Sequence, residues 1–262
     1  MAYETIEFEI KEHVALITLN REEAANALNI QMADELMDAA IRCDTEKSVR
    51  AVLITARGKM FCAGGDLKVF SEAGNEVGVL AKKITTSLHA AVSRFARMAP
   101  LLVVAVNGTV AGGGLSLVLV ADMVLSARSA KFTLAYTRAG LVPDGSSTYF
   151  MPRLIGLRRS QELMLTNRRL SADEAVEWGL INRVVSDEKL MEEAESLARD
   201  MASGATGAYG AVKKMLTETF TNPLETQMEI EARYISERAT SPDGREGVDA
   251  FVKKRKPNFK GE

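Results

Sequence analysis

The sequence predicts an α/β fold built on parallel strands, and three observations carry the prediction. Apolar strand patterns and 3.6-residue helical patterns take turns along residues 1–190. The segments RAVLITARG and LLVVAVNG are continuous apolar runs rather than alternating ones, as expected of parallel strands covered on both faces. At 262 residues and 47% hydrophobic composition, the chain can bury a substantial core, as one large domain or as a domain with an appendage.

TIEFEI and VALITLN flank KEH and read as an opening hairpin. NIQMADELMDAAIRC has helical spacing through Leu28, Met32, Leu36 and Ala39 or Ala40. After the strand in RAVLITARG, a long amphipathic helix carries Val77, Leu80, Ile84, Leu88, Ala91, Val92 and Phe95 on one stripe. LLVVAVNG is the next buried strand, GGGLSLVLVAD leads from three glycines into an apolar helix, and MVLSARSAKFTLA reads as short strands. SADEAVEWG has a capping box, Ser171 with Glu174, and a stop at Gly179. From about Asp187 onward the pattern is helical, including a helix expected to be capped by Asn222 with Pro223 at its first position. The chain thus divides into a core over residues 1–190 and a helical extension over residues 191–262. The extension is too thin to core itself, so it packs on the body or on a neighbouring subunit.

Composition narrows the partners. Charges are interspersed and sum to −2, which gives no field for nucleic acid. KKRK at 253–256 is a local exception that reads as a solvated helix end. No apolar run approaches the roughly 20 residues that span a bilayer, so no membrane partner is expected. The N-terminal segment lacks a basic stretch followed by an apolar one, and Cys43 and Cys62 have no framework spacing. Cytoplasmic residence, reduced thiols and no metal are the expectation.

FCAGGDL (61–67) and NGTVAGGGLSL (107–117) share a design: small residues at the end of a buried strand, where backbone approaches a ligand closely and N–H groups open a helix. Two converging N–H donors make an oxyanion hole. Tight helix packing is the simpler use of such glycines, and neither phosphate-loop spacing is present.

These stretches, with NREEAANALN, LSADEAVEWGLINRVV and the terminal AFVKKRKPNFKG, resemble the crotonase superfamily, the enoyl-CoA hydratase/isomerase family, over nearly the whole chain. The resemblance implies a spiral of ββα turns with a helical C-terminal extension, and assembly as homotrimers or dimers of trimers. It implies an acyl-CoA thioester substrate, with coenzyme A as part of the substrate and no separate cofactor. The oxyanion donors fall on the amides of Gly65 and Gly113. Coenzyme A would lie along Ala24, Ala27, Ala63, Asp66 and Leu67, with Phe251 and Lys254 closing over it, often from the next subunit.

Stabilising charge on a thioester oxygen makes the α-proton removable, but acids and bases decide the fate of the enolate. The two glutamates of the family's hydratases fall on Ser116 and Tyr136, and neither is a general base at neutral pH unaided. Both remain candidate substrate-contacting positions. Asp144, in GLVPDGSST, matches the carboxylate of certain isomerases of the family, and its surroundings look most like the 1,2-epoxyphenylacetyl-CoA isomerases. Locally, Pro-Asp-Gly is also ordinary turn chemistry. The expected reaction moves a double bond from Δ3 to Δ2, or opens a related ring, with Asp144 as acid and base. Hydration remains an alternative. RRSQELMLTNRRLSADEAVEWGL is similar to 4-chlorobenzoyl-CoA dehalogenases, in which the matching aspartate is a nucleophile and a histidine matches His89. A non-catalytic acyl-CoA binder or an RNA-binding relative is the non-enzyme alternative. Cys62 and Trp178 read as core.

Overall fold

The computed structural model describes residues 3–262, and its architecture repeats a unit of two strands and a helix. Strands β1 (Ile6–Lys11) and β2 (Val14–Leu19) pair antiparallel, with Lys11 opposite Val14. The two residues between them, Glu12 and His13, both have positive φ, as a tight hairpin of matching twist requires. Helix α1 (Ile30–Thr45) comes next, its first turn capped by the Asn29 side chain, which accepts from the Met32 N–H at 2.9 Å.

Each later unit sends its first strand to one sheet and its second to another. The first turn comprises β3 (Ala51–Ala56), β4 (Met60–Cys62), the short α2 (Leu67–Glu72) and the long α3 (Val77–Arg97). The second comprises β5 (Leu101–Val106), β6 (Thr109–Ala111) and α4 (Leu115–Leu119). The third comprises β7 (Met123–Ala127), β8 (Lys131–Thr133) and α5 (Ser147–Thr166). The chain then runs through β9 (Leu170–Ser171), α6 (Ala172–Glu177) and β10 (Arg183–Val185). One sheet has the order β1-β2-β3-β5-β7-β10, parallel except for the opening hairpin; the other has the order β4-β6-β8-β9. The result is the expected spiral of ββα turns.

The continuous apolar strands have the predicted cause. On β3, Val52 and Ile54 face the main core while Ala51 and Leu53 face a second cluster, and β5 divides Leu102, Val104 and Val106 from Val103 and Ala105 in the same way. Helices α1 and α3 cover the first face. Helix α7 (Leu190–Ala202) covers the other with Leu190, Ala194, Ala198 and Ala202. The helical extension therefore begins as part of the body.

Helix α8 (Thr206–Glu218) is tied to the sheet by the Lys213 ammonium, which donates to Asp122 at 2.7 Å. Helix α9 (Leu224–Thr240) buries no residue, and α10 (Pro242–Val252) packs on it. The α9 N-cap is Pro223 rather than Asn222, because Pro223 is extended (φ −62, ψ 157) and Asn222 Nδ2 donates to the Gln227 side chain instead. The final residues fold back: Asp243 accepts from the N–H groups of Lys260, Gly261 and Glu262, and Arg50 donates to Phe259 O. Among the described residues no helix is long and apolar enough to cross a membrane.

Candidate active site

The segment 24–28 lies alongside 63–66 as a short parallel strip. Ala63 N–H donates to Ala25 O, Leu28 N–H to Gly64 O and Asp66 N–H to Leu28 O, at 2.7–3.0 Å. Asn26, fully buried with φ 54, holds the strip down through Nδ2 donations to Arg57 O and Met60 O, while its Oδ1 accepts from Arg21 N–H. Arg21 Nη1 donates to Ala27 O at 2.9 Å and to Asp66 Oδ2 at 2.7 Å. The sequence of NREEAANALN carries these roles of Arg21 and Asn26 only faintly, as an arginine before and an amide among the small Ala24, Ala25 and Ala27.

That strip leaves the Gly65 N–H unused, since the pairing of residues 28 and 65 runs through the neighbouring amides. Gly113 is the second residue of a 3-10 turn over Gly112–Gly114, among the helix-opening N–H groups that have no intrahelical acceptor. Gly64 (φ 93) permits the two loops to meet: a Cβ there would stand 3.1 Å from Ala111 O and 3.2 Å from Gly112 Cα. A Cβ on Gly65 would meet nothing closer than Phe70 Cζ at 3.9 Å, so this position matters for its amide rather than for lack of a side chain.

Both glycines line one cavity of about 300 Å³. Leu28, Ala63, Leu67, Phe70, Ala81, Ile84, Leu88, Leu134, Leu141 and Val142 supply an apolar wall, and Asp144 is the only carboxylate among the described residues that line it. A Cβ placed on Gly113 would lie 3.9 Å from Asp144 Oδ1 and 3.5 Å from the Tyr136 hydroxyl. The acid and the backbone donors therefore face the same small volume.

The backbone around Asp144 is the turn that Pro-Asp-Gly announces. Gly145 (φ 56) and Ser146 (φ 71) are both left-handed, and Asp144 O accepts from Ser147 N–H at 3.0 Å and from Ser147 Oγ at 2.8 Å. Turn and site are not alternatives: the backbone makes the turn and the carboxylate points into the cavity. Asp144 Oδ1 accepts a short hydrogen bond from the Tyr136 hydroxyl. Burial, and then the adjoining Asp144 carboxylate, push the Tyr136 phenol well above its ordinary value of 10.0, so it stays protonated and acts as a donor. Asp144 Oδ2 lies 3.7 Å from His89 Nε2, which itself accepts from Gly145 N–H at 3.1 Å.

The other positions selected from the sequence divide between the cavity, the strip and the core. Ala63 and Leu67 line the cavity, whereas Ala24 and Ala27 lie in the strip beside it. The Asp66 carboxylate is occupied, capping α2 through Lys68 N–H and Val69 N–H and pairing with Arg21; burial pushes its pKa up, but these partners outweigh burial and hold it below 3.8. Ser116 is fully buried, does not line the cavity, and packs against Gly145; its Oγ has no protein partner. Phe251, 86% exposed, and Lys254 sit at the far end of α10, outside the cavity of their own chain. Cys62 is fully buried against Gly114, where an added Cβ would come within 2.6 Å of Cys62 Cβ, and burial pushes its thiol up to about 12. It is a core residue. Trp178 packs partly buried on the core with the Arg159 and Arg168 guanidiniums over its ring.

The sequence model of the enoyl-CoA hydratase/isomerase family matches residues 9–262. The 1,2-epoxyphenylacetyl-CoA isomerase of Escherichia coli (strain K12) is 37% identical over 253 residues, covering 96% of this chain and 97% of its own length. The "Probable enoyl-CoA hydratase" of Rhodobacter capsulatus is 41% identical over 263 residues, covering 100% of both chains. The crystal structure of an enoyl-CoA hydratase from Bacillus anthracis matches with a TM-score of 0.92 at 32% identity, covering 99% of this chain and 100% of that one. With the family model, full-length relatives and the ββα spiral in agreement, the chain belongs to the enoyl-CoA hydratase/isomerase family of the crotonase superfamily.

Proposed function

We propose that this family member is an acyl-CoA isomerase in which Asp144 is both acid and base. The observation that carries the reading is the single carboxylate, Asp144, set in an apolar cavity beside the Gly65 and Gly113 amides. The thioester oxygen binds at those two N–H groups. Asp144 removes a proton from C2, the charge moves onto the thioester oxygen as an enolate, and the same carboxyl gives the proton back at C4. The double bond thereby moves from Δ3 to Δ2; a ring epoxide on an arylacetyl group reaches its rearranged product through the same stabilised enolate. The Tyr136 hydroxyl orients the carboxylate by its bond to Oδ1. One base carrying one proton needs no further cofactor.

Hydration in this family uses paired carboxylates, and Ser116 and Tyr136 stand at those positions, the first buried away from the cavity and the second bonded to Asp144. A nucleophilic role for Asp144 with His89 as its base finds less support, because the His89 Nε2 lone pair is engaged by Gly145 N–H. Coenzyme A runs along Ala24, Ala27, Ala63, Asp66 and Leu67 in this reading, and Phe251 and Lys254 close over it from a neighbouring subunit of a trimer. The exposed Leu216, Phe220, Leu224, Met228, Ile235 and Val252 on α8 to α10 support such an assembly.

Purified protein assayed against a trans-3-enoyl-CoA, crotonyl-CoA and 4-chlorobenzoyl-CoA tests the reading. Isomerisation of the first with little turnover of the others is expected; strong hydration of crotonyl-CoA without isomerisation overturns it.

A further inference from the structure

Two cavities stand back to back at the Asp144 turn. Leu88 and Asp144 belong to the wall of the acyl cavity. The next residue of each element, His89 and Gly145, belongs to a second cavity of about 320 Å³, and no residue lines both. The partition between them is therefore made by successive residues of α3 and of the turn that line different cavities. A hydrogen bond joins its halves, from Gly145 N–H to His89 Nε2 at 3.1 Å.

The cavities differ in chemistry. The acyl side is apolar apart from Thr85, Tyr136 and Asp144. The second side presents His89, Ser93, Arg97, Ser146 and Thr217, and the buried Ser146 Oγ has no protein partner. These polar groups, set among the apolar Val92, Ala96 and Phe150, suit water, which supplies hydrogen bonds that buried polar atoms lack. Asp144 spans the boundary: Tyr136 holds Oδ1, while Oδ2 lies 3.7 Å from His89 Nε2. The imidazole, half-exposed, lines the second cavity and flanks Oδ2, which places this ring between that cavity and the carboxylate.

We propose that His89 is a positioning residue whose ring, pinned by Gly145 N–H, seals the acyl cavity against the second cavity, so that the proton Asp144 takes from C2 returns to the same substrate. The inference rests on the reading of Asp144 as the base. In balance, the C2–H bond breaks as an O–H bond forms on Asp144, and that O–H bond breaks as the C4–H bond forms. Water admitted at Oδ2 would exchange this proton and would offer a nucleophile to the 2-enoyl product. Excluding water from an active site suppresses such leakage.

The test is isomerisation of a trans-3-enoyl-CoA in D₂O by the full-length protein, reading deuterium at C4 per turnover by mass spectrometry. Wild type is expected to transfer mainly protium. His89→Ala is expected to raise the deuterium content several-fold and to yield detectable 3-hydroxyacyl-CoA. His89→Gln, whose side-chain oxygen still accepts from Gly145 N–H, is expected to keep the label near wild type. A merely structural role would lower the melting temperature and the rate without moving the label per turnover. Equal labelling in His89→Ala and wild type, or full labelling in wild type, overturns the proposal. Asp144→Asn run in parallel separates the two readings: turnover by that variant refutes Asp144 as the base, whereas its inactivity with unchanged labelling in His89→Ala refutes only the partition.

Discussion

Replacing Gly113 by alanine separates chemistry from packing. The backbone accepts a side chain here, and an added Cβ would stand 3.0 Å from Leu28 Cδ1, 3.5 Å from the Tyr136 hydroxyl and 3.9 Å from Asp144 Oδ1. Only the Leu28 contact is tight, and the end of a leucine side chain gives by a few tenths of an ångström, so the cost in stability is about 1 kcal/mol, the low end for overpacking. The methyl group nevertheless occupies the space between oxyanion donor and base, where the reacting carbons must come within about 3–3.5 Å of Asp144. A displacement of about 1 Å costs on the order of 100-fold in rate, and misaligning an oxyanion donor costs about 100- to 1,000-fold. Gly113→Ala should therefore lower kcat/KM for enoyl-CoA isomerisation by about 100-fold or more while the melting temperature falls only slightly. Gly114→Ala is the contrasting control: its Cβ would come within 2.6 Å of Cys62 Cβ and 2.7 Å of Cys62 Sγ, so it should lower the melting temperature clearly more than Gly113→Ala does. Wild-type isomerisation by a well-folded Gly113→Ala protein would refute the placement of the thioester between Gly113 and Asp144.

The surroundings of the site give two more expected outcomes. Asp66 has a folded-state pKa held below 3.8 by Arg21 and by the amides of α2, so its contribution to stability is complete above that value and is lost as pH falls through the lower, folded value. Asp66→Asn should lower stability at neutral pH by about 1–3 kcal/mol and remove part of the acid-induced loss below pH 3.8, as read by denaturant titration at two pH values; a variant with unchanged acid sensitivity would contradict the pairing. Burial pushes both thiols, Cys43 and Cys62, up to about 12, so neither should react with a thiol reagent in the native protein at pH 8 except at the rate of unfolding. Rapid labelling of one thiol with loss of activity would reinstate Cys62 as reactive.

The fold was legible wherever local pattern suffices. The KEH hairpin, the stripe on α3 from Ile84 to Phe95 and the Ser171 capping box are all present. What local pattern cannot carry is the alternation between sheets: β4, β6 and β8 have three residues each, too short for a two-residue period to register, and their pairing joins distant segments. The N-terminal end of the α3 stripe also misleads, since Val77 is exposed there. At the site, the glycines and Asp144 were legible as residue types, but their partners were not. The sequence marks Tyr136 as a position where a hydratase glutamate is absent and as a candidate substrate contact, but its bond to Asp144 depends on a turn that brings residues eight apart together. His89 reaches Gly145 across 56 residues of sequence, a contact invisible to any local reading. The half-buried Arg21 and the buried Asn26 of NREEAANALN likewise owe their role to the strip they anchor, which joins residues 24–28 to the sequence-distant 63–66.

Asp144→Asn is the most direct measurement, because asparagine keeps the side-chain oxygen that accepts from Tyr136 and removes only the base. With Asp144 as the proton carrier, the variant should fold with a melting temperature near that of wild type and lose about 100- to 10,000-fold in kcat for isomerisation of a trans-3-enoyl-CoA, the usual contribution of a positioned acid–base group. A folded Asp144→Asn protein that isomerises at close to the wild-type rate would contradict the account.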